Sequence, residues 1–129
     1  MSVKKRMLLR EVNLMIKSIL HIEALFVLIV SIYFYAYIDG SWWMFFLCLL
    51  LPDISMLGYL VNNSIGATIY NIGHTYFIPL VLVFLSVMSK QDLVLALSLI
   101  WIAHIGMDRT IGFGLKYPGN FKDTHLQKV

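Results

Sequence analysis

Apolar residues fill most of the chain, and the few charges that interrupt them divide it into blocks. Stretches without Asp, Glu, Lys or Arg run over 24–38, 40–52, 54–89 and 93–107, and the third is broken by Asn62, Asn63, Ser64 and Gly66. A helix needs about 20 mostly apolar residues to cross about 30 Å of hydrocarbon, so the clean blocks are too short to cross alone. Several spans must therefore take in an acidic residue. The pattern predicts four spans near 20–38, 42–61, 68–88 and 93–112. Turn-like breaks fall at Asp39-Gly40-Ser41, at Asn62-Asn63-Ser64-Ile65-Gly66 and at Ser89-Lys90-Gln91-Asp92.

Before the first span, Leu8, Val12, Met15, Ile16 and Ile19 recur at three- and four-residue spacing, with Lys5, Arg6, Arg10, Asn13 and Lys17 around the rest of the helix. This reads as a basic amphipathic helix on the inner leaflet or as an extension of the first span. A cleavable signal peptide is not expected, because the polar region is long and no small-residue cleavage site follows. The expected fold is all-α: one domain over 1–129, a four-helix transmembrane bundle with an N-terminal basic amphipathic segment.

Composition supports the same class. The chain is 60% hydrophobic and 13% charged, with a mean hydropathy of +0.81. Soluble domains are about 45–50% apolar and about 25% charged, so an ordinary cytosolic enzyme, a disordered tail and a disulfide scaffold are all excluded. The lone Cys48 has no intramolecular partner. The net charge of +3 needs no nucleic acid to explain it. Nine of the ten basic residues lie before the first span or at and beyond the end of the fourth, and only Lys90 lies on the other side. That asymmetry predicts cytoplasmic N and C termini in the cell inner (plasma) membrane. Tyr33, Tyr35, Tyr37, Trp42 and Trp43 then fall at the outer interface, which suits amphipathic rings.

On this topology Asp53, Asn71, His74, His104 and Asp108 all fall in the cytoplasmic half of the bilayer. An ionisable group costs at least about 2.5 kcal/mol at a helix centre, so such groups pair, line a wet cavity or bind an ion. His104 and Asp108 are four apart and share a helix face, and Asn71 and His74 are three apart. Asp53 follows Pro52, which removes a backbone donor and kinks its span. Two imidazoles and two carboxylates from three helices suit a divalent metal such as zinc.

Ordinary explanations exist for each residue taken singly. Asn71 suits interhelical hydrogen bonding, and a single buried histidine is commonly just packed and bonded. Asp108 beside Arg109 suits an interfacial ion pair. His21 and Glu23 can snorkel to the inner surface. His125 reads as a solvated tail residue, and Gly112-Phe113-Gly114 as a flexible exit. Gly58, Gly73 and Gly106 suit close helix approach. The set of four at one depth is what these explanations do not cover.

The segments Leu50-Leu51-Pro52-Asp53-Ile54-Ser55-Met56-Leu57-Gly58-Tyr59, Tyr70-Asn71-Ile72-Gly73-His74, His104-Ile105-Gly106-Met107-Asp108-Arg109, Gly112-Phe113-Gly114-Leu115-Lys116-Tyr117 and Thr124-His125-Leu126 resemble the small bacterial integral-membrane family called domain of unknown function 4260. The order Leu-Pro-Asp-Ile, Gly-His, His-x-x-x-Asp is more distantly similar to the inner-membrane metal-dependent hydrolases of the LexA-regulated type. That resemblance implies Asp53, His74, His104 and Asp108 as metal ligands. Ser55 and Met56 stand where that family continues with Asp-His, and His74 has no second histidine nearby, so a two-metal site does not carry over.

Two functional classes follow, with a third beside them. In the first, the protein is a metal-dependent hydrolase acting on a lipid or amphiphilic small molecule. Asp108 or Glu23 is then the general base, and Asn71, Arg109 and Lys116 receive the substrate. In the second, Glu23 serves a small proton-coupled transporter like the small multidrug-resistance proteins. In the third, the polar set is interhelical glue in a membrane assembly subunit, and a homo-oligomer stays open. Phosphate loops, dinucleotide fingerprints and nucleophile elbows are absent from the sequence.

Overall fold

The computed structural model describes residues 1–128, and among them the chain is helical with no named strand. Helix α1 (Val3–Tyr37) is followed by α2 (Trp42–Cys48), a 3₁₀ segment (Leu51–Leu60), α3 (Asn63–Gly73), α4 (Phe77–Ser89), α5 (Asp92–Thr110) and the short α6 (His125–Lys128). Four stretches are long and apolar enough to cross a bilayer: Val3–Tyr37, Trp42–Leu60, Asn63–Ser89 and Asp92–Thr110. Large apolar side chains such as Phe26, Leu47, Leu60 and Phe84 are exposed along them, as a lipid-facing surface requires.

Helix α1 contains neither Gly nor Pro, and Ser2 caps it by accepting the Lys5 N–H at 3.3 Å. Its 35 residues are continuous, so the basic amphipathic segment is an extension of the first span. Only Ala24, Ser31 and Tyr35 of α1 are buried, and α1 packs chiefly on α5. Gly106 permits that approach. A Cβ there would lie 3.0–3.2 Å from the backbone of Ala24 and Leu28.

Two spans expected to be continuous are broken. In the second, the α-helix gives way to ten residues of 3₁₀ helix at Leu51, next to Pro52. Proline brings no N–H to the ladder, and a 3₁₀ run of this length is rare in a span interior, where it commonly marks a functional position. In the third, α3 ends at Gly73 and α4 begins at Phe77, leaving His74, Thr75 and Tyr76 between them. Pro79 explains the break: it cannot donate to the Thr75 carbonyl, and its ring would collide with it. The polar run expected as a turn at 62–66 is mostly helix, because Asn62 accepts the Ile65 N–H at 2.8 Å and starts α3.

Helix α5 is the central element, with ten buried residues. One stretch of it, Ala96, Leu99, Ile100 and Ala103, packs with Tyr35 and Phe45 as the apolar core. Beyond α5 the chain turns at Gly112, whose φ of +103° suits glycine, and folds back as a strap. Lys116 pairs with Thr124 in an isolated bridge, and Leu126 is fully buried. The flexible exit expected at Gly112-Phe113-Gly114 is therefore an ordered turn. His125 is not a solvated tail residue either: it is half-buried, and its Nδ1 accepts the Leu115 N–H at 2.8 Å.

Candidate metal centre

The two breaks and the end of α5 meet at one place. Asp53 comes from the 3₁₀ segment, His74 from the end of α3, and His104 and Asp108 from α5. One ligand atom from each lies within 4.8 Å of all the others. His74 Nε2 is 3.0 Å from His104 Nε2. Both nitrogens are 3.3 Å from Asp53 Oδ1 and 3.4 Å from Asp108 Oδ2. His74 and His104 are buried, and the Asp53 side chain is the most open at 31% exposed.

The packing turns ligand-type atoms of all four side chains toward one point. The Tyr70 carbonyl, 2.9 Å from His74 Nδ1, can only accept, so Nδ1 carries the hydrogen. Ser55 Oγ, 3.4 Å from the same nitrogen, donates its own hydrogen to the Pro52 carbonyl at 2.6 Å and so is free to accept. With its hydrogen on Nδ1, His74 turns Nε2 toward two carboxylates. Protonating both histidines on Nε2 would set two N–H groups head to head at 3.0 Å. One Nε2–H between the rings avoids that clash, and a cation at the centre would avoid it while engaging all four heads. Zinc lies about 2.0–2.1 Å from N and O ligands, which spaces four tetrahedral ligand atoms about 3.3 Å apart. Five of the ligand pairs here are separated by 3.0–3.4 Å. The donor set and its spacing fit a divalent ion.

Surrounding residues orient the ligands. The Tyr70 ring stacks on His74 with centroids 3.7 Å apart, and the Tyr70 carbonyl fixes its tautomer. Trp101 Nε1 donates to the Gly73 carbonyl at 2.6 Å, and Arg109 Nη2 donates to the His74 carbonyl at 3.2 Å. Both satisfy acceptors at the end of α3, where helical partners run out. His104 Nδ1 is buried with no hydrogen-bond partner among the described residues. None of Tyr70, Ser55 and Trp101 was given a site role from the sequence, where Ser55 stood only as a departure from the hydrolase motif. Only Tyr70 carried a signal, four residues before His74 on the same helix.

The other candidate residues are placed differently. Asn71 uses both ends of its amide on the strap: Nδ2 donates to the Lys116 carbonyl at 2.8 Å, and Oδ1 accepts the Lys116 N–H at 2.6 Å. Lys116 is buried, with Nζ 3.8 Å from the Phe121 ring centre and 4.9 Å from that of Tyr70. Burial pushes its ammonium below the usual lysine range. Arg109 bonds the His74 carbonyl and lies over the Tyr76 ring at 4.5 Å, so the expected pairing with Asp108 is replaced by these contacts. Glu23 is exposed on α1 and outside the four-residue cluster. His21 does not snorkel: its Nδ1 donates to the Thr110 carbonyl at 2.8 Å and ties α1 to the end of α5.

Searches of curated proteins and of solved structures gave no match. A family profile described as Domain of unknown function (DUF4260) matches residues 17–129, a range that takes in all four clustered ligands and the C-terminal strap, and the chain belongs to that family.

Proposed function

We propose that this is a membrane-embedded, metal-dependent hydrolase acting on an amphiphilic or lipid substrate at the cytoplasmic leaflet. The observation that carries the reading is the convergence of Asp53, His74, His104 and Asp108, with all ligand atoms within 4.8 Å and five of the six pairs at 3.0–3.4 Å. A divalent ion held there supplies Lewis acidity and lowers the pKa of water toward about 7. A catalytic site of this kind keeps three protein ligands and one open position. His74, His104 and Asp108 are the more enclosed three. Asp53 faces an open groove along the 3₁₀ segment, lined also by Leu50, Ile54 and Tyr59. It is therefore the carboxylate that would be placed to accept a proton from water if His74, His104 and Asp108 held the ion. This assignment moves the general-base role from Asp108, and Glu23 lies outside the pocket. Arg109, fixed on the His74 carbonyl, brings positive charge beside the cluster for an anionic head group.

The test is elemental analysis of detergent-purified protein, followed by a hydrolysis screen with ester and phosphoester amphiphiles. About one divalent ion per chain is expected, lost in His74→Ala and His104→Ala, with turnover lost in the same variants. Wild-type protein that carries no stoichiometric ion, and whose melting ignores chelators, would sink the reading.

A further inference from the structure

A cavity of about 470 Å³ lies against the polar cluster, bounded by the second span, α4 and α5. Its wall includes Cys48, Leu51, Leu82, Leu97, Ile100 and Trp101. The polar groups in this wall are already committed. Ser55 Oγ donates to the Pro52 carbonyl at 2.6 Å, Ser98 Oγ to the Val94 carbonyl at 2.7 Å, and Trp101 Nε1 to the Gly73 carbonyl at 2.6 Å. Water entering would find few partners, and the apolar wall, open toward the bundle surface, suits a hydrocarbon chain.

The cavity also reaches the site. Pro52 and Gly73 line it, and they are the chain neighbours of the ligands Asp53 and His74. Ser55 lines it too, with Oγ 3.4 Å from His74 Nδ1. None of the four cluster residues lines the cavity itself, but through Ser55 its wall is one side chain away from His74, close enough for the head of an occupant to extend to the cluster. Arg109 stands beside that end with no carboxylate partner among the described residues, which favours an anionic head.

We infer that this cavity is the chain-binding subsite of the centre and holds the single hydrocarbon chain of an anionic amphiphile whose head lies at Asp53, His74, His104 and Asp108. The inference rests on the metal-site reading for the position of the head, and its volume is within the about 300–1,000 Å³ usual for small-molecule sites.

Trp101 lines the cavity, so its fluorescence reports the occupant. In full-length protein carrying Trp42→Phe and Trp43→Phe it is the only indole, since the chain has three tryptophans. A long-chain carboxylate brominated along its tail is expected to quench it saturably. The unbrominated carboxylate should compete, and butyrate should not. Leu82→Phe with Leu97→Phe narrows the cavity and is expected to weaken long-chain binding about tenfold or more, since single methylenes already matter about 10-fold or more in a fitted pocket. Metal content and monodisperse elution show that this variant is folded. Quenching that rises linearly with brominated bilayer lipid and is not competed means only annular lipid reaches Trp101, and overturns the inference. So does unchanged affinity in the folded double-Phe variant. Retained metal without saturable quenching removes the subsite and leaves the metal reading standing. Saturable quenching in protein that binds no metal supports the chain site and removes the metal reading.

Discussion

Around Tyr35 the chain is joined by aromatic faces, and around His74 by four polar heads spaced so that a cation could lie among them. At the first end Tyr35, Trp42 and Phe45 meet with ring centroids 5.1–5.5 Å apart, and the Tyr35 hydroxyl donates to the Ser41 carbonyl at 2.6 Å. The buried hydroxyl there is satisfied by the chain itself. At the second end, helix regularity is given up twice, at Pro52 and before Pro79, and the ligands come from those breaks and from α5. Helix α5 serves both, with Ala96 to Ala103 in the apolar core and His104 and Asp108 in the cluster. One end holds the bundle together, and the other places reactive groups where regular helix would not.

The largest contrast is expected from removing the ion. A ligand that binds only the folded state at about 1,000 times its Kd adds about 4 kcal/mol to stability. Chelation should therefore lower the melting temperature of the wild type by a large step. His104→Ala should melt low from the start and show no further response to chelator. Equal chelator responses in both proteins would show that the polar end is held without a metal.

A smaller effect is expected where the two ends are coupled. Gly106 lies between Ala103 and Asp108 on α5, where its missing side chain lets α1 approach. Gly106→Val should force α1 away, costing about 1–3 kcal/mol as overpacking usually does. Because His104 and Asp108 flank it, metal affinity should fall as well. Lowered stability with unchanged metal affinity would show that the two ends are energetically separate.

These couplings bear on how much the sequence revealed. Four apolar spans and the grouping of Asp53, His74, His104 and Asp108 were legible because burial of charge in lipid is costly and leaves a sparse, readable pattern. The change of helix type after Cys48 was not, since hydropathy is blind to whether a turn is α or 3₁₀; Pro52 announced a kink and no more. The break at His74 was signalled by Pro79, five residues downstream, and went unread. The strap was invisible for a different reason. Its order depends on Asn71 pairing with Lys116 and His125 with Leu115, and contacts between separated residues leave no period in a short polar segment. Asn71 was correctly a hydrogen-bonding residue, but its partner is backbone in the strap.

At the aromatic end, Tyr35→Phe removes one hydrogen bond and leaves the rings in place. A typical bond is worth about 1 kcal/mol net, so a modest drop in melting temperature is expected, with metal content unchanged. Loss of metal in this variant would mean that the Tyr35 region shapes the cluster and that the contrast between the ends is overstated.

The smallest effect concerns the strap that closes the polar end. Burial holds the His125 imidazole below its ordinary pKa of 6.5, and the nearby Arg109 charge adds to this. The folded state therefore favours neutral His125, whose Nδ1 accepts the Leu115 N–H; protonation would leave two donors facing each other. At pH above 6.5 both folded and unfolded chains carry neutral imidazole, and this contribution is fully present. As pH falls below 6.5 the unfolded chain takes up the proton first, so stability declines toward the lower folded value. His125→Asn keeps an acceptor in place without a titrating group, and its melting temperature should fall less between pH 7 and 5, about the range over which histidine ordinarily titrates. The comparison is best made on metal-depleted protein, so that proton competition at His74 and His104 does not contribute. If the two proteins then lose stability in parallel on acidification, the strap is not fastened through His125.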